Sequence, residues 1–182
     1  MAVDSFRFDG GKTWLDLFST LGRRYSSEPE ERLLSAEALS GWLIAMELSP
    51  REAATERDVF LARGLREALR NCTAALLNRE PFAEQDDRFI REMLSYREHR
   101  TLSAALTLEH FSSPQAVFAE FAEQAIIAWQ HPENLSLCAE PDCRRAFRDP
   151  SGRRRWCPTP ACASRGRVRA FRQNQPQEAH HD

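Results

Sequence analysis

Lysine is almost absent from this chain: Lys12 is the only one, against 24 arginines. A GC-rich genome produces the same bias, so the preference for guanidinium carries no message by itself. Long apolar runs are also missing. No stretch approaches the roughly 18–20 apolar residues of a membrane span, so no membrane partner is expected. The opening "MAVDSFRFDG" has no basic region followed by an apolar run, so no signal peptide is read there. A cytoplasmic, reducing setting is the expectation. The sequence shows no glycine-rich phosphate loop, no Ser-His-Asp arrangement and no clustered carboxylate pair. A non-enzyme is therefore expected. The histidines His99, His110 and His131 are scattered, and His180 and His181 sit in the terminal tail. Cysteine is scarce outside one segment, where only Cys72 occurs. That residue lies on the apolar stripe of a helix and reads as a small buried hydrophobe.

Charge is distributed unevenly. Residues 1–137 hold 15 basic and 22 acidic side chains, whereas residues 138–175 hold 10 arginines and 3 acids. An acidic body thus precedes a basic end, and the asymmetry points to an anionic partner for that end. The hydrophobic fraction of 42% allows a packed core. At 182 residues the chain has room for one domain and a small module.

The body reads as mainly helical. "FRFD" alternates and suggests a short strand over 6–9, closed by Gly10-Gly11. "TWLDLFSTLG" follows as a short helix with Gly22 as its stop, and "YSSEPEE" as a polar loop. Ser35 is placed to cap a helix over 36–48. "SPRE" puts Ser49 at a second cap with Pro50 behind it, which predicts a long helix over 50–78. After Pro81 a helix fits 83–98. Residues 101–109 alternate and suit a strand, giving the body one small hairpin. Ser113-Pro114 opens a last body helix over 114–130. "HPEN" is read as a linker that few contacts cross. The divisions are a helical domain over 1–132, a four-cysteine module over 133–175 and a disordered tail over 176–182.

Four cysteines, Cys138, Cys143, Cys157 and Cys162, form the pattern C-x4-C-x13-C-x4-C. Two knuckles of this kind point four thiolates at one centre, which suits one structural Zn²⁺ and leaves no open position for catalysis. A pair of disulfides, an iron–sulfur cluster or a chance grouping are the rival readings. "RDPSG" supplies a turn between the knuckles, predicting a β-hairpin that leaves the first and arrives at the second. Phe147 and Trp156 are its only large apolar residues. A module this small is not stable from burial alone, so metal binding must supply the missing free energy.

Arg153, Arg154 and Arg155 fall on the second strand of that expected hairpin. Arg165, Arg167, Arg169 and Arg172 fall on an expected last helix, whose inward face is assigned to Val168 and Phe171. Arg165, Arg169 and Arg172 then share one exposed side. These seven arginines are the candidate nucleic-acid-binding residues. A solvated face, or a dock for the acidic body, would account for the same pattern.

The stretch "RRRWCPTPACASRGRVRAFR" resembles the C-terminal finger of the bacterial CGNR zinc-finger proteins, whose signature runs Arg-Arg-Trp-Cys, Cys-Gly-Asn-Arg and a basic Val-Arg segment. Trp156-Cys157 and Val168-Arg169 match, as do Cys162 and Arg165 at the ends of the tetrad. Ala163 and Ser164 replace its Gly and Asn. "FRFDGGKTWLDLFSTLGRR" and "LLSAEALSGWL" are similar to the helical, ABATE-type stress-response domain that accompanies this finger. The resemblance implies a transcription regulator whose finger binds DNA and whose helical domain senses a small-molecule effector. A homodimer is expected because paired half-sites are common among such regulators. Two other readings stay open. One is a zinc-stabilised protein-interaction module that touches no nucleic acid. The other is a ligand-binding or enzymatic body with the finger as a structural appendage.

Overall fold

A computed structural model describes residues 6–101 and 110–173. The expected strand over 101–109, apart from Thr101, and the tail at 176–182 with His180 and His181 lie outside those residues. The order is α1 (Thr13–Asp16), a 3₁₀ turn (Leu17–Thr20), β1 (Leu21–Gly22), β2 (Glu30–Glu31), α2 (Ala36–Ala45), α3 (Glu56–Asn78), α4 (Glu84–Leu94), α5 (Pro114–Trp129), β3 (Leu135–Leu137), β4 (Ala146–Arg148) and α6 (Pro160–Gln173). The fold is mainly helical, with two small antiparallel strand pairs: β1 with β2 in the body and β3 with β4 at the start of the finger.

The body's helices begin where side chains can meet free backbone donors. Ser35 accepts from the Ala38 amide at 3.3 Å and Ser113 from the Ala116 amide at 3.3 Å, as the sequence suggests. The Ser49 cap does not form. Thr55 starts α3 instead, in a reciprocal box with Asp58: the Thr55 amide donates to Asp58 Oδ2 at 2.8 Å, and the Asp58 amide to Thr55 Oγ1 at 3.4 Å. Residues 49–55 are then free to pair along the chain, and the Arg51 and Glu52 amides donate to the Phe111 and Ser112 carbonyls at 2.8 and 2.9 Å. α2 also stops earlier than expected, because Glu47 turns through positive φ. Helices α3, α4 and α5 enclose a core in which Trp14, Leu65, Leu69, Trp42, Phe118 and Phe121 are fully buried. Cys72 lies in that core, and burial pushes its thiol up to about 12.

Residues 6–9 form no strand. Gly10 makes the contact in their place, and it must be glycine. A Cβ there would come within 2.8 Å of Leu15 Cβ. The Gly10 amide donates to Asp16 Oδ1 at 2.7 Å, and its carbonyl accepts from the Arg148 amide of β4 at 3.1 Å. The finger is therefore tied to the body rather than hung from a linker. Leu135 and Ala146, on β3 and β4, belong to the same buried cluster as Trp14 and Leu65. The Tyr25 amide reaches across to the Asp142 carbonyl at 3.1 Å. "HPEN" lies on a short 3₁₀ turn (Pro132–Asn134), and many contacts cross it, contrary to the expectation.

The finger's hairpin also differs from the expected one. β4 pairs backwards with β3, Ser136 opposite Phe147, so the ladder encloses the first knuckle. "DPSG" does turn, with the Gly152 amide on the Asp149 carbonyl at 3.1 Å. Asp149 then takes the Ser151 hydroxyl at 2.6 Å and the Arg154 amide at 2.8 Å on its carboxylate. The chain wraps around that side chain, so residues 153–156 do not run as a strand.

Candidate metal centre and basic surface

Each knuckle is closed by backbone bonds. The Cys143 and Arg144 amides both donate to the Glu140 carbonyl at 3.0 Å, with Arg144 in the left-handed region at φ 48°. The Cys162 amide donates to the Thr159 carbonyl at 3.0 Å in the first turn of α6. The four sulfur atoms all lie within 4.8 Å of one another, with Cys143 to Cys157 at 3.9 Å and Cys157 to Cys162 at 3.6 Å. Thiolates arranged tetrahedrally at about 2.3 Å from Zn²⁺ are about 3.8 Å apart, whereas bonded disulfide sulfurs are about 2.05 Å apart. An iron–sulfur cluster would hold the thiolates farther apart, to make room for its bridging sulfides. Cys138, Cys157 and Cys162 are buried and Cys143 half-buried, so the set is closed to substrate.

As free thiols the four compete for shared protons. Hydrogen bonding with Cys143 brings Cys138 down to about 7, and bonds from Cys138 first, then Cys143 and Cys162, pull Cys157 well below its ordinary value. The same contacts, led again by Cys138, push Cys143 and Cys162 up. One divalent ion replaces all of those shared protons. Donor type, spacing and enclosure fit one structural zinc ion held by Cys138, Cys143, Cys157 and Cys162.

The Cys162 ligand also sets the rotation of α6, because its side chain must face the metal. Residues three, four and seven positions on then face inward. Gly166 meets the Trp156 indole, where a Cβ would come within 2.3 Å of Nε1. Arg169 donates from both Nη atoms to the Glu140 carboxylate at 3.3 and 3.1 Å, and Arg165 Nε lies 3.7 Å from it. Glu140 is fully buried. Val168 and Phe171, expected to face inward, are instead 48% and 66% exposed. The expected division of the helix is thus overturned in part: Arg165 and Arg169 turn to Glu140 and the two apolar residues face outward, while Arg172 is exposed as expected. Position counted from Cys162 would have shown this from sequence.

The other candidate arginines are solvent-exposed: Arg153, Arg154, Arg155, Arg167 and Arg172. Arg154 lies over the Phe147 ring at 5.8 Å and Arg155 over Trp156 at 5.2 Å, so their stems cover the finger's small core. Ala163 is half-buried and Ser164 exposed, one turn into α6.

Several charged residues that carry no motif prove central. Arg145, only 7% exposed, donates from Nη2 to Asp9 at 2.6 Å and to Thr159 Oγ1 at 3.3 Å, joining body to finger. Arg66, also nearly buried, makes a bidentate pair with Glu31 at 2.9 and 2.6 Å and reaches Thr20 at 2.9 Å. Burial pushes the Glu31 carboxyl up, but its bonds to Arg66 outweigh that and hold it below the ordinary range. Among the described residues no helix is long and apolar enough to cross a membrane.

The chain is thus a helical body joined to a small module in which four cysteines converge beside a basic helix. Residues 11–132 match the ABATE family, described as a "putative stress-induced transcription regulator", and residues 134–175 match the CGNR zinc finger. The first match spans well over half of the chain, and the protein belongs to that family. Neither description is of an enzyme. No curated protein matches the chain.

Proposed function

We propose that the protein is a DNA-binding transcription regulator in which the finger contacts the duplex and the helical body answers to a small ligand. The observation that carries this reading is the set of exposed arginines on the finger. Arg153, Arg154, Arg155, Arg167 and Arg172 are exposed. Val168 and Phe171 of α6 are exposed as well. Guanidinium groups can hold phosphates, while apolar side chains can meet thymine methyls or sugars. The arginine that docks the finger on the acidic body is a different one, Arg145. The exposed set is therefore not needed for internal docking. A homodimer would present two such faces to paired half-sites.

The sensing half is supported by a cavity of about 570 Å³ lined by Trp14, Ile127, Leu135, Lys12 and Arg148. That size suits a small molecule. The Trp14 indole N–H is buried with no hydrogen-bond partner.

The test is binding of the zinc-loaded full chain to a randomised duplex pool across a salt series, read by fluorescence anisotropy. Affinity should fall steeply with salt. Arg154→Ala and Arg172→Ala should each make the salt slope shallower by about one unit, with zinc content unchanged. Absence of any salt-dependent binding at low ionic strength would overturn the DNA reading and favour the interaction-module alternative.

A further inference from the structure

We propose that an arginine-lined cleft between body and finger is a binding site for a small oxyanion ligand, a molecule with one phosphoryl or carboxylate head. The cleft is separate from the exposed basic face. The proposal depends on the sensing reading above for its regulatory meaning, though not for its chemistry.

The cleft has a volume of about 190 Å³. Its walls come from the 3₁₀ turn, β1 and α3 on the body side, and from Cys143 and the first turn of α6 on the finger side. Eight of its lining residues are arginines and one, Glu30, is acidic. Arginines from both parts meet there. Arg7 and Arg23 are only loosely paired, each 3.8 Å from a carboxylate and more than two-fifths exposed. Arg145 is almost wholly buried, and both of its hydrogen bonds leave from Nη2.

Unmet donors mark the place. Among the described residues five buried side-chain polar atoms have no hydrogen-bond partner, and three of them are the Nε atoms of Arg70, Arg145 and Arg165, all lining this cleft. Two stand near carboxylates, at 3.8 and 3.7 Å, too far for a hydrogen bond. An unmet buried donor costs about 1–3 kcal/mol, and such groups are rare in folded proteins. Three on residues that line one cleft leave that place short of acceptors. The N-terminus of α6 adds to it: Thr159, Ala161 and Cys162 line the same space, where the helix dipole favours negative charge.

Charge and size narrow the ligand. Five carboxylates pair with the arginines in and around the cleft: Asp9, Glu30, Glu31, Glu67 and Glu140. These five carboxylates and the charge of about −2 on a zinc tetrathiolate leave eight guanidiniums with an excess of about one. Asp16, whose charge Arg145 feels, cancels that excess when ionised. The attraction is therefore local, from guanidinium donors gathered round one small space, and it suits one oxyanion head rather than a polyanion. The volume lies below the roughly 300 Å³ at which ligand pockets begin, so the cleft takes the head of a molecule and not the whole of a large one. An oxyanion seated there bonds to body and finger together, and so tightens the joint that sets how the basic face is carried.

The probe is inorganic phosphate, titrated calorimetrically into the zinc-loaded full chain at constant ionic strength in chloride buffer. We expect one saturable site per chain and a rise in melting temperature that chloride does not reproduce. The double variant Arg7→Gln/Arg23→Gln changes only half-exposed side chains, so it should keep its fold and zinc while binding phosphate about tenfold or more weakly. Arg145→Gln should abolish binding. Should that variant lose the body–finger joint, the double variant still decides the matter. No saturable site at tens of millimolar phosphate, or undiminished binding by the double variant, would overturn the proposal. So would one-for-one displacement of phosphate by duplex DNA, which would make the cleft part of the DNA surface. No DNA is present in the phosphate titration, so failure there and failure of DNA binding are separate results.

Discussion

The body and the finger are stabilised by different means. The body buries Trp14, Trp42, Phe118 and Phe121 completely, among many leucines. The buried cluster of the finger contains one such aromatic, Phe147, and its other members are the metal-binding cysteines Cys138, Cys157 and Cys162. One part is held by area removed from water, the other by a metal ion. Yet they share a seam, because Leu135 and Ala146 belong to the body's core although they sit on the two strands that lead into and out of the first knuckle.

The largest effect should come from breaking the metal site. Cys157→Ser, or a strong chelator, should remove stoichiometric zinc and with it folding free energy of order 10 kcal/mol from the finger. Elemental analysis reads the zinc, and limited proteolysis reads the finger. Circular dichroism should retain most of its helical signal, since α2 to α5 stand on their own burial. Collapse of the whole spectrum would show that the body depends on the metal as well. A finger that resists proteolysis without zinc would remove the contrast between the two parts.

The sequence made the metal ligands legible, because cysteine chemistry and spacing are local. It also made the body's helices legible, because apolar periodicity and caps at Ser35 and Ser113 are local. The choice between Ser49 and Thr55 was settled by pairing at Phe111 and Ser112, far along the chain. The hairpin was misplaced because Asp149 draws the following amides onto its side chain, which a turn motif alone does not reveal. The rotation of α6 was written in the sequence at Cys162 but obscured by two apolar residues that invited burial. Arg145 and the cleft were not legible, since they depend on charges brought together from opposite ends of the chain, and Glu140 meets Arg165 and Arg169 only once α6 packs against the first knuckle.

An intermediate effect tests the seam. Leu135 is 7% exposed and packed in the body's core. Leu135→Ala should cost about 2–4 kcal/mol through lost burial and the cavity left behind. The melting temperature of the body should fall, while zinc stays at one per chain because the ligands are untouched. An unmoved melting temperature would mean that the seam adds nothing, and that the two parts are as independent as the sequence suggested.

The smallest effect concerns a single carboxyl beside that seam. Asp16 is 6% exposed and holds the Gly10 amide at 2.7 Å, and the Gly10 carbonyl in turn holds β4 of the finger. Burial pushes the Asp16 carboxyl up to about 6 from 3.8, against the Gly10 hydrogen bond and the charge of Arg145, which pull it down. The sign follows from linkage. A folded value above the unfolded one means that the native state holds the proton more tightly, so the stability this group gives is fully present below 3.8 and is lost as pH rises through about 6. Above that pH the ionised carboxylate is a penalty of about 1–2 kcal/mol, after allowing for solvent screening. Asp16→Asn keeps an oxygen for the Gly10 amide and cannot ionise. Near pH 4 it should melt with the parent protein, and at pH 7 it should melt several degrees higher, so its stability should be flat where the parent's declines. A variant that is less stable than the parent at pH 7 would reverse the argument. It would show that the negative charge itself, set against Arg145, holds the body to the finger at that point.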